Sequence, residues 1–149
     1  MKVHLHQIPQ GSTLLIEGEE DASFLGLEEA DAKALSPVRY ALDVGLSEGG
    51  LFATGWLEVE VELRCVACLE TFPTKVRIDP FALQKELDGR ELVDLTEEIR
   101  EDIHLALPSY PRCDAEGERA CPASFPRASA TESSGAVAWD ALDKLKNKD

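Results

Sequence analysis

Two runs of alternating residues, GWLEVEVELRC at 55–65 and TFPTKVRIDPF at 71–81, constrain this chain more than any other feature. Period-two alternation sends successive side chains to opposite faces of a strand. In the first run Leu57, Val59, Val61 and Leu63 share one face, and Glu58, Glu60 and Glu62 share the other. In the second, Phe72, Thr74, Val76 and Ile78 oppose Lys75 and Arg77. One antiparallel register satisfies both faces at once. It sets Leu57 against Ile78, Val59 against Val76 and Leu63 against Phe72, while Glu58 meets Arg77 and Glu60 meets Lys75. Apolar pairs on one side and opposite charges on the other select this hairpin over its one-residue slips. Its tip is the segment RCVACLETF, with Cys65 and Cys68 two residues apart in CxxC spacing.

A redox CxxC of the thioredoxin kind opens a helix, whose N-terminus stabilises the thiolate. Here strands flank the motif and no helix follows. A CxxC at a hairpin tip is instead the geometry of a zinc knuckle, where backbone amides reach the thiolates. A structural zinc takes four ligands. Cys113 and Cys121 are available, on a stretch poor in regular structure, PSYPRCDAEGERACPASFP. The complete pattern, C-x2-C-x44-C-x7-C, admits three readings. They are a four-thiolate structural zinc site at Cys65, Cys68, Cys113 and Cys121, a disulfide or redox pair, and thiols without a common role. The hairpin position favours the first.

The rest of the chain supplies a β-rich frame. KVHLHQI at 2–8 and TLLIE at 13–17 read as short strands, and VRYALDVGL at 38–46 as a longer one, followed by a turn at SEGG. The acidic, Ala-rich stretch 19–35 reads as loop with some helix, on the rough spacing of Phe24, Leu27, Ala30 and Ala34. Residues 85–93 read as a polar loop. DLTEEIREDIHLAL at 94–107 is the strongest helix, with Asp94 placed to cap it and Glu97 three residues on. Its apolar stripe is Leu95, Ile99, Ile103, Ala106 and Leu107, and Pro108 ends it. Residues 127–136 have the small polar composition of a linker. VAWDALDKLKNKD after them can form a short helix with Val137, Trp139, Leu142 and Leu145 apolar. The expected organisation is one α+β domain over 1–126, a linker at 127–136 and a tail at 137–149. In this fold the helix packs on a mainly antiparallel sheet.

Other chemistry is sparse. His104 lies on the polar side of its helix and reads as solvated. His4 and His6 share a strand face and read as surface residues. Glu58, Glu60 and Glu62 read as a solvated face partly paired with Lys75 and Arg77. Trp56 reads as core rather than as a stacking platform. No phosphate-binding Gly loop and no nucleophile motif occurs, so no catalytic residue and no small-molecule substrate is expected. The net charge of -14, from 29 acidic and 15 basic residues, disfavours direct contact with nucleic acid or an anionic membrane surface. It suits a basic partner. With no signal-like segment and no apolar run of membrane-spanning length, the expected location is the cytoplasm, where stable disulfides are rare.

Several of these pieces, in order, resemble the YceD family. They are GWLEVEVELRCVACLETF, an acidic loop, VDLTEEIREDIHLALPSYPRC, a later CP, and AWDALDKLK. Members are bacterial and plastid proteins named for large-subunit ribosomal RNA accumulation. The resemblance runs from about Gly45 to Cys121. It is carried most by the C-x-x-C-L-E-x-F block and the D-L-x-E-x-x-R-E-x-I-x-L-A-L-P helix. The chain departs from the family at Ala67, where Arg is common. It departs also at Gly117 and Ser124, where many members carry further cysteines. The resemblance implies a non-enzymatic role in accumulation or processing of large-subunit (23S-type) rRNA. The expected partner is a basic ribosomal protein or assembly factor, with rRNA met indirectly. Trp139, Leu142 and Leu145 of the tail, and the acidic segment 17–31, are the expected contact surfaces. Two alternatives are a metal-dependent or redox enzyme using Cys65 and Cys68, and a direct RNA-binding module.

Overall fold

The computed structural model describes residues 1–27, 32–47, 50–115, 117 and 119–123. The expected linker at 127–136 and the tail with Trp139, Leu142 and Leu145 lie outside the described residues. Within them the fold is α+β: seven strands, all paired antiparallel, and one α-helix. The strands are β1 (Lys2–His4), β2 (Leu14–Glu20), β3 (Ala32–Ala34), β4 (Val38–Ser47), β5 (Gly50–Arg64), β6 (Thr71–Lys85) and β7 (Leu92–Asp94), and the helix is α1 (Thr96–Ala106).

The long hairpin β5–β6 forms in the register that the alternation selects. Leu57 pairs with Ile78, Glu58 with Arg77, Val59 with Val76, Glu60 with Lys75 and Leu63 with Phe72. Beyond Leu57 the register slips, and Gly55 pairs with Phe81, so Asp79 and Pro80 together oppose Trp56. This β-bulge is the end of the legible register. Gly55 sits there with φ +155°, and a Cβ on it would lie 2.0 Å from the Ala41 carbonyl oxygen. Only glycine fits that approach of strands β4 and β5.

β5 organises the main sheet. One edge pairs with β6, and the other with β4 and, further along, with β3. β4 in turn pairs with β2. Leu42, Val44, Leu57, Val59 and Val61 turn their fully buried side chains to one face. Leu25, Leu95, Ile99 and Ile103 meet them in the same core. Burial of each such aliphatic side chain contributes about 1.5–3 kcal/mol.

The outer face carries the charges. Glu58 receives Arg77 at 3.2 Å, Lys75 at 3.5 Å and Arg39 at 3.9 Å. The Arg77 hydrogen bond, then the Lys75 charge, hold its carboxyl below the usual range. Lys75 thus turns to Glu58 rather than to Glu60, its partner in register. Trp56 lies half-buried on this outer face, not in the core, with the Arg77 guanidinium 4.9 Å from its ring centre. The reason is parity: Trp56 shares the even-numbered face with Glu58.

Other departures follow from tertiary pairing. In the stretch 19–35, β2 persists to Glu20, a 3-10 turn spans Ala22–Leu25, and β3 pairs Ala32 with Leu63 and Ala34 with Val61. Asp21 accepts from the Ser23 amide at 2.9 Å, and Gly26 at φ +60° stops the turn. Here strand pairing overrides the helical bias of alanine. KVHLHQI is strand only to His4, then turns in 3-10 form over Leu5–Gln7. Leu92 and Val93, expected at the end of the 85–93 loop, and Asp94, expected to open the helix, form β7, which pairs with β1.

α1 begins at Thr96, two residues later than expected. The N-cap position falls to Leu95, which makes no side-chain capping bond, and not to Asp94. Asp94 stands one residue earlier and accepts from the Thr96 amide at 3.0 Å and the Thr96 hydroxyl at 2.5 Å. Glu97 makes an ion pair with Arg100 at 3.6 Å instead of closing a capping box. Leu95, Ile99 and Ile103 are buried as expected, but Ala106 is exposed. His104 is not simply solvated, since its Nε2 lies 2.6 Å from the Leu25 carbonyl oxygen. Arg100 Nε donates to the same oxygen at 3.3 Å, so α1 is pinned to the turn that ends at Leu25.

Candidate metal centre

β5 delivers Cys65 to the hairpin tip directly after Arg64. The tip then doubles back. The Leu69 amide donates to the Cys65 carbonyl at 2.9 Å, and the Cys65 amide to the Glu70 carbonyl at 2.9 Å. Leu69 takes φ +63°, the left-handed conformation that lets the chain re-enter β6 after a CxxC. The segment after α1 is laced to the same tip, because the Val66 amide donates to the Pro111 carbonyl at 2.9 Å. An ion pair between Arg119 and Glu70 fastens the second cysteine segment from the other side.

These contacts bring together all four cysteines that the sequence singled out. Cys65, Cys113 and Cys121 are buried and Cys68 is partly so, in a cluster of their own flanked by Phe72 and Ala123. The four sulfurs lie within 4.8 Å of one another. The Cys65 and Cys121 Sγ atoms are 3.9 Å apart, and those of Cys68 and Cys113 are 3.7 Å apart. A disulfide requires about 2.05 Å. Four sulfurs at about 2.3 Å from a central zinc stand about 3.8 Å from each other in a tetrahedron. These two contacts cross between the hairpin and the later loop, and Cys65 and Cys68 also interact, so the four sulfurs form one group. A group of this kind could hold a metal ion.

The electrostatics are uneven. Backbone N–H groups of Cys68, Cys113 and Ala67 point at Cys65 and lower its pKa to about 6. Cys68 receives the Glu70 amide, which favours its thiolate, but burial and the Cys65 sulfur outweigh that and raise its pKa. Burial, followed by the facing Cys121 and Cys68 sulfurs, pushes Cys113 up to about 12. Thiols crowded in this way resist simultaneous ionisation unless a cation sits among them. Four soft sulfur donors at this spacing are a donor set that suits metals of the zinc class.

The histidines stand apart. His4 and His6 face each other with ring centres 5.3 Å apart, and among the described residues only the four cysteines gather as a ligand group. Glu70 and Arg119, which clasp the site, were not singled out by sequence. The signal for Glu70 was its place in the C-L-E-x-F block. Arg119 carried none, because its role depends on a loop whose path only the tertiary structure shows. Among the described residues no helix is long and apolar enough to cross a membrane. Searches of protein-family models, of curated proteins and of solved structures return no match to this chain.

Proposed function

We propose that this chain is a non-enzymatic factor of the YceD type, supporting accumulation or processing of large-subunit rRNA in the cytoplasm, with one structural zinc. The observation that carries the reading is the convergence of Cys65, Cys68, Cys113 and Cys121 at tetrahedral spacing. These are the positions at which the family resemblance puts its cysteines. The ion would hold the loop after α1 against the β5–β6 tip and present both as one rigid surface.

The excess of 29 acidic over 15 basic residues supports a basic ribosomal protein or assembly factor as the partner, with rRNA reached through it. Trp139, Leu142 and Leu145 are the proposed apolar part of that contact, since aromatic anchors dominate such interfaces. A strain lacking the gene tests the proposal. Large-subunit rRNA is expected to fall relative to small-subunit rRNA. The wild-type gene should restore it, and the Cys65→Ser/Cys68→Ser and Trp139→Ala/Leu142→Ala/Leu145→Ala forms should not. An unchanged rRNA ratio in the deletion strain would refute the role. Purified protein carrying no stoichiometric zinc would refute the metal.

A further inference from the structure

β2 is the end strand of the main sheet. β4 takes one of its edges, and among the described residues no other strand pairs with it. Glu17, Gly18 and Glu19 are exposed and Leu15 is 57% exposed, so no neighbouring element covers this stretch. A row of unpaired backbone N–H and C=O groups is a template for another chain. Proteins blunt such edges with proline, lysine or a bulge. LLIEGEE contains neither residue, and its pairing from Leu14–Val44 to Glu20–Val38 runs without a register shift.

The edge has a sign. On the outer face Leu15, Glu17 and Glu19 lie beside Asp43, Ala41 and Arg39 of β4. Glu19 is already held by Arg39 at 3.5 Å. Glu17 and the exposed Asp43 have no ion-pair partner among the described residues. A hollow of about 330 Å³ opens on this face, lined by Glu17, Ala41 and the half-buried Trp56. Arg77 lies over the indole, which leaves it to serve the hollow as an apolar wall. A long basic side chain suits such a place: its methylene stem lies along Ala41 and Trp56, and its charged head meets Glu17.

The other face is apolar. Leu14 and Ile16 are half-buried and pack against the core. A strand added to this edge therefore meets carboxylates on one side and aliphatic surface on the other. A second copy of β2 does not fit, because an antiparallel pair sharing the outer face would gather the Glu17 and Glu19 carboxylates of both copies. Nucleic acid meets the same repulsion.

We infer that the open edge of β2 is the docking site of an extended, basic segment of a partner protein in which Lys or Arg alternates with apolar residues. Its cations lie on the face that carries Glu17 and Asp43, and its apolar side chains lie beside Leu14 and Ile16. Main-chain hydrogen bonds to β2 supply affinity, and the alternation supplies selectivity. The site rests on the basic-partner reading above and deepens it by naming the surface and the form of the partner. It depends neither on the metal nor on rRNA.

The test uses the full chain and a fluorescent peptide, Lys-Val-Arg-Val-Lys-Leu. A second peptide of the same composition, Lys-Lys-Arg-Val-Val-Leu, controls for charge. The alternating peptide is expected to bind saturably, with amide shifts centred on 14–19 in NMR spectra, and the control at least about tenfold more weakly. Glu17→Lys is expected to weaken binding by about tenfold. Glu101→Lys, an equal change of net charge on the exposed side of α1, should alter it by less than about twofold. Because a protein variant can perturb the sheet, a further measurement uses two peptides N-methylated at alternate residues. A single edge forms hydrogen bonds with only one alternate set of amides, so one methylated peptide should lose binding and the other keep it. Equal binding of the two basic peptides would overturn the edge while leaving the basic-partner reading in place. So would equal losses in Glu17→Lys and Glu101→Lys, equal losses with both methylated peptides, or shifts lying away from β2. An acidic peptide, Glu-Val-Glu-Val-Glu-Leu, binding as tightly as the basic ones would remove the basic-partner reading and the inference with it. A concentration-dependent dimer perturbing 14–19 in place of peptide binding would make the occupant a second copy of the chain and overturn the assignment.

Discussion

The sulfurs of Cys65 and Cys121 stand 3.9 Å apart although 56 residues separate them in the chain. Neither local propensity nor a short turn can produce this. It requires β5 to end at the hairpin tip, α1 to run back along the sheet and stop near Pro108, and the following loop to return to the tip. The Pro111 carbonyl and the Arg119–Glu70 pair complete that return.

If a zinc ion closes this loop, its binding free energy is folding free energy for the segment. Removing one ligand leaves three thiols around an incomplete site. Cys113→Ser is expected to abolish stoichiometric zinc. It should lower the thermal midpoint by about 10 °C or more, as a loss of several kcal/mol implies for a domain of this size. Hydrogen exchange should then rise in 109–123 and at the 65–70 tip, while the centre of β5 and β4 stays protected. Cobalt substitution offers an independent reading, since four thiolates give an intense tetrahedral spectrum. Unchanged metal content in Cys113→Ser would show that this residue is not a ligand.

Leu69 holds φ +63° with its side chain 68% exposed. An L-residue with a Cβ loses about 1–2 kcal/mol in that conformation. Glycine avoids the loss but raises the entropy of the unfolded chain by the equivalent of about 0.4–1 kcal/mol. Little packing is given up, because the side chain is mostly in water. Leu69→Gly is therefore expected to stabilise the metal-loaded protein by about 0.5–1 kcal/mol, read as a higher urea midpoint at unchanged slope. A clear loss of stability would mean that the Leu69 side chain contributes more than its backbone conformation costs.

The strand pairing from Leu57–Ile78 to Leu63–Phe72 was legible because each residue of two long runs voted for one register. The candidate site was legible because cysteine is rare in this chain and the hairpin tip fixed the meaning of the first pair. What was not legible depended on single residues or on remote partners. β3 is three residues long, and its Ala32 and Ala34 become strand only because Leu63 and Val61 offer an edge. β7 exists because β1 lies beside it. Trp56 was misplaced because hydrophobicity outweighed parity. The alternation of GWLEVEVEL already put it on the glutamate face, where Arg77 covers its ring. Arg112 and Arg119 gave no local signal, since their partners Asp114 and Glu70 acquire meaning only with the loop in place.

Asp94 ties the start of α1 to pH. Its carboxylate accepts from the Thr96 hydroxyl and the Thr96 amide, and these bonds hold its pKa below the usual aspartate value. A carboxyl whose pKa is lower folded than unfolded stabilises the fold fully above its unfolded pKa, about 3.9. That contribution fades as pH falls through the folded value. Hydrogen bonds of this kind contribute about 1 kcal/mol net. Asp94 is 51% exposed on its side chain, so solvent screening argues against a larger figure. Asp94→Ala is thus expected to destabilise the protein by about 1 kcal/mol at neutral pH. The gap between variant and wild type should hold steady down to about pH 5 and narrow steadily below about pH 4. Urea unfolding of both proteins across pH 3–7 measures it, and the difference cancels the acid loss of metal that both share. A gap that widens on acidification would mean that the protonated carboxyl is the stabilising form. A gap that does not change would mean that the Asp94 carboxyl acts without its charge.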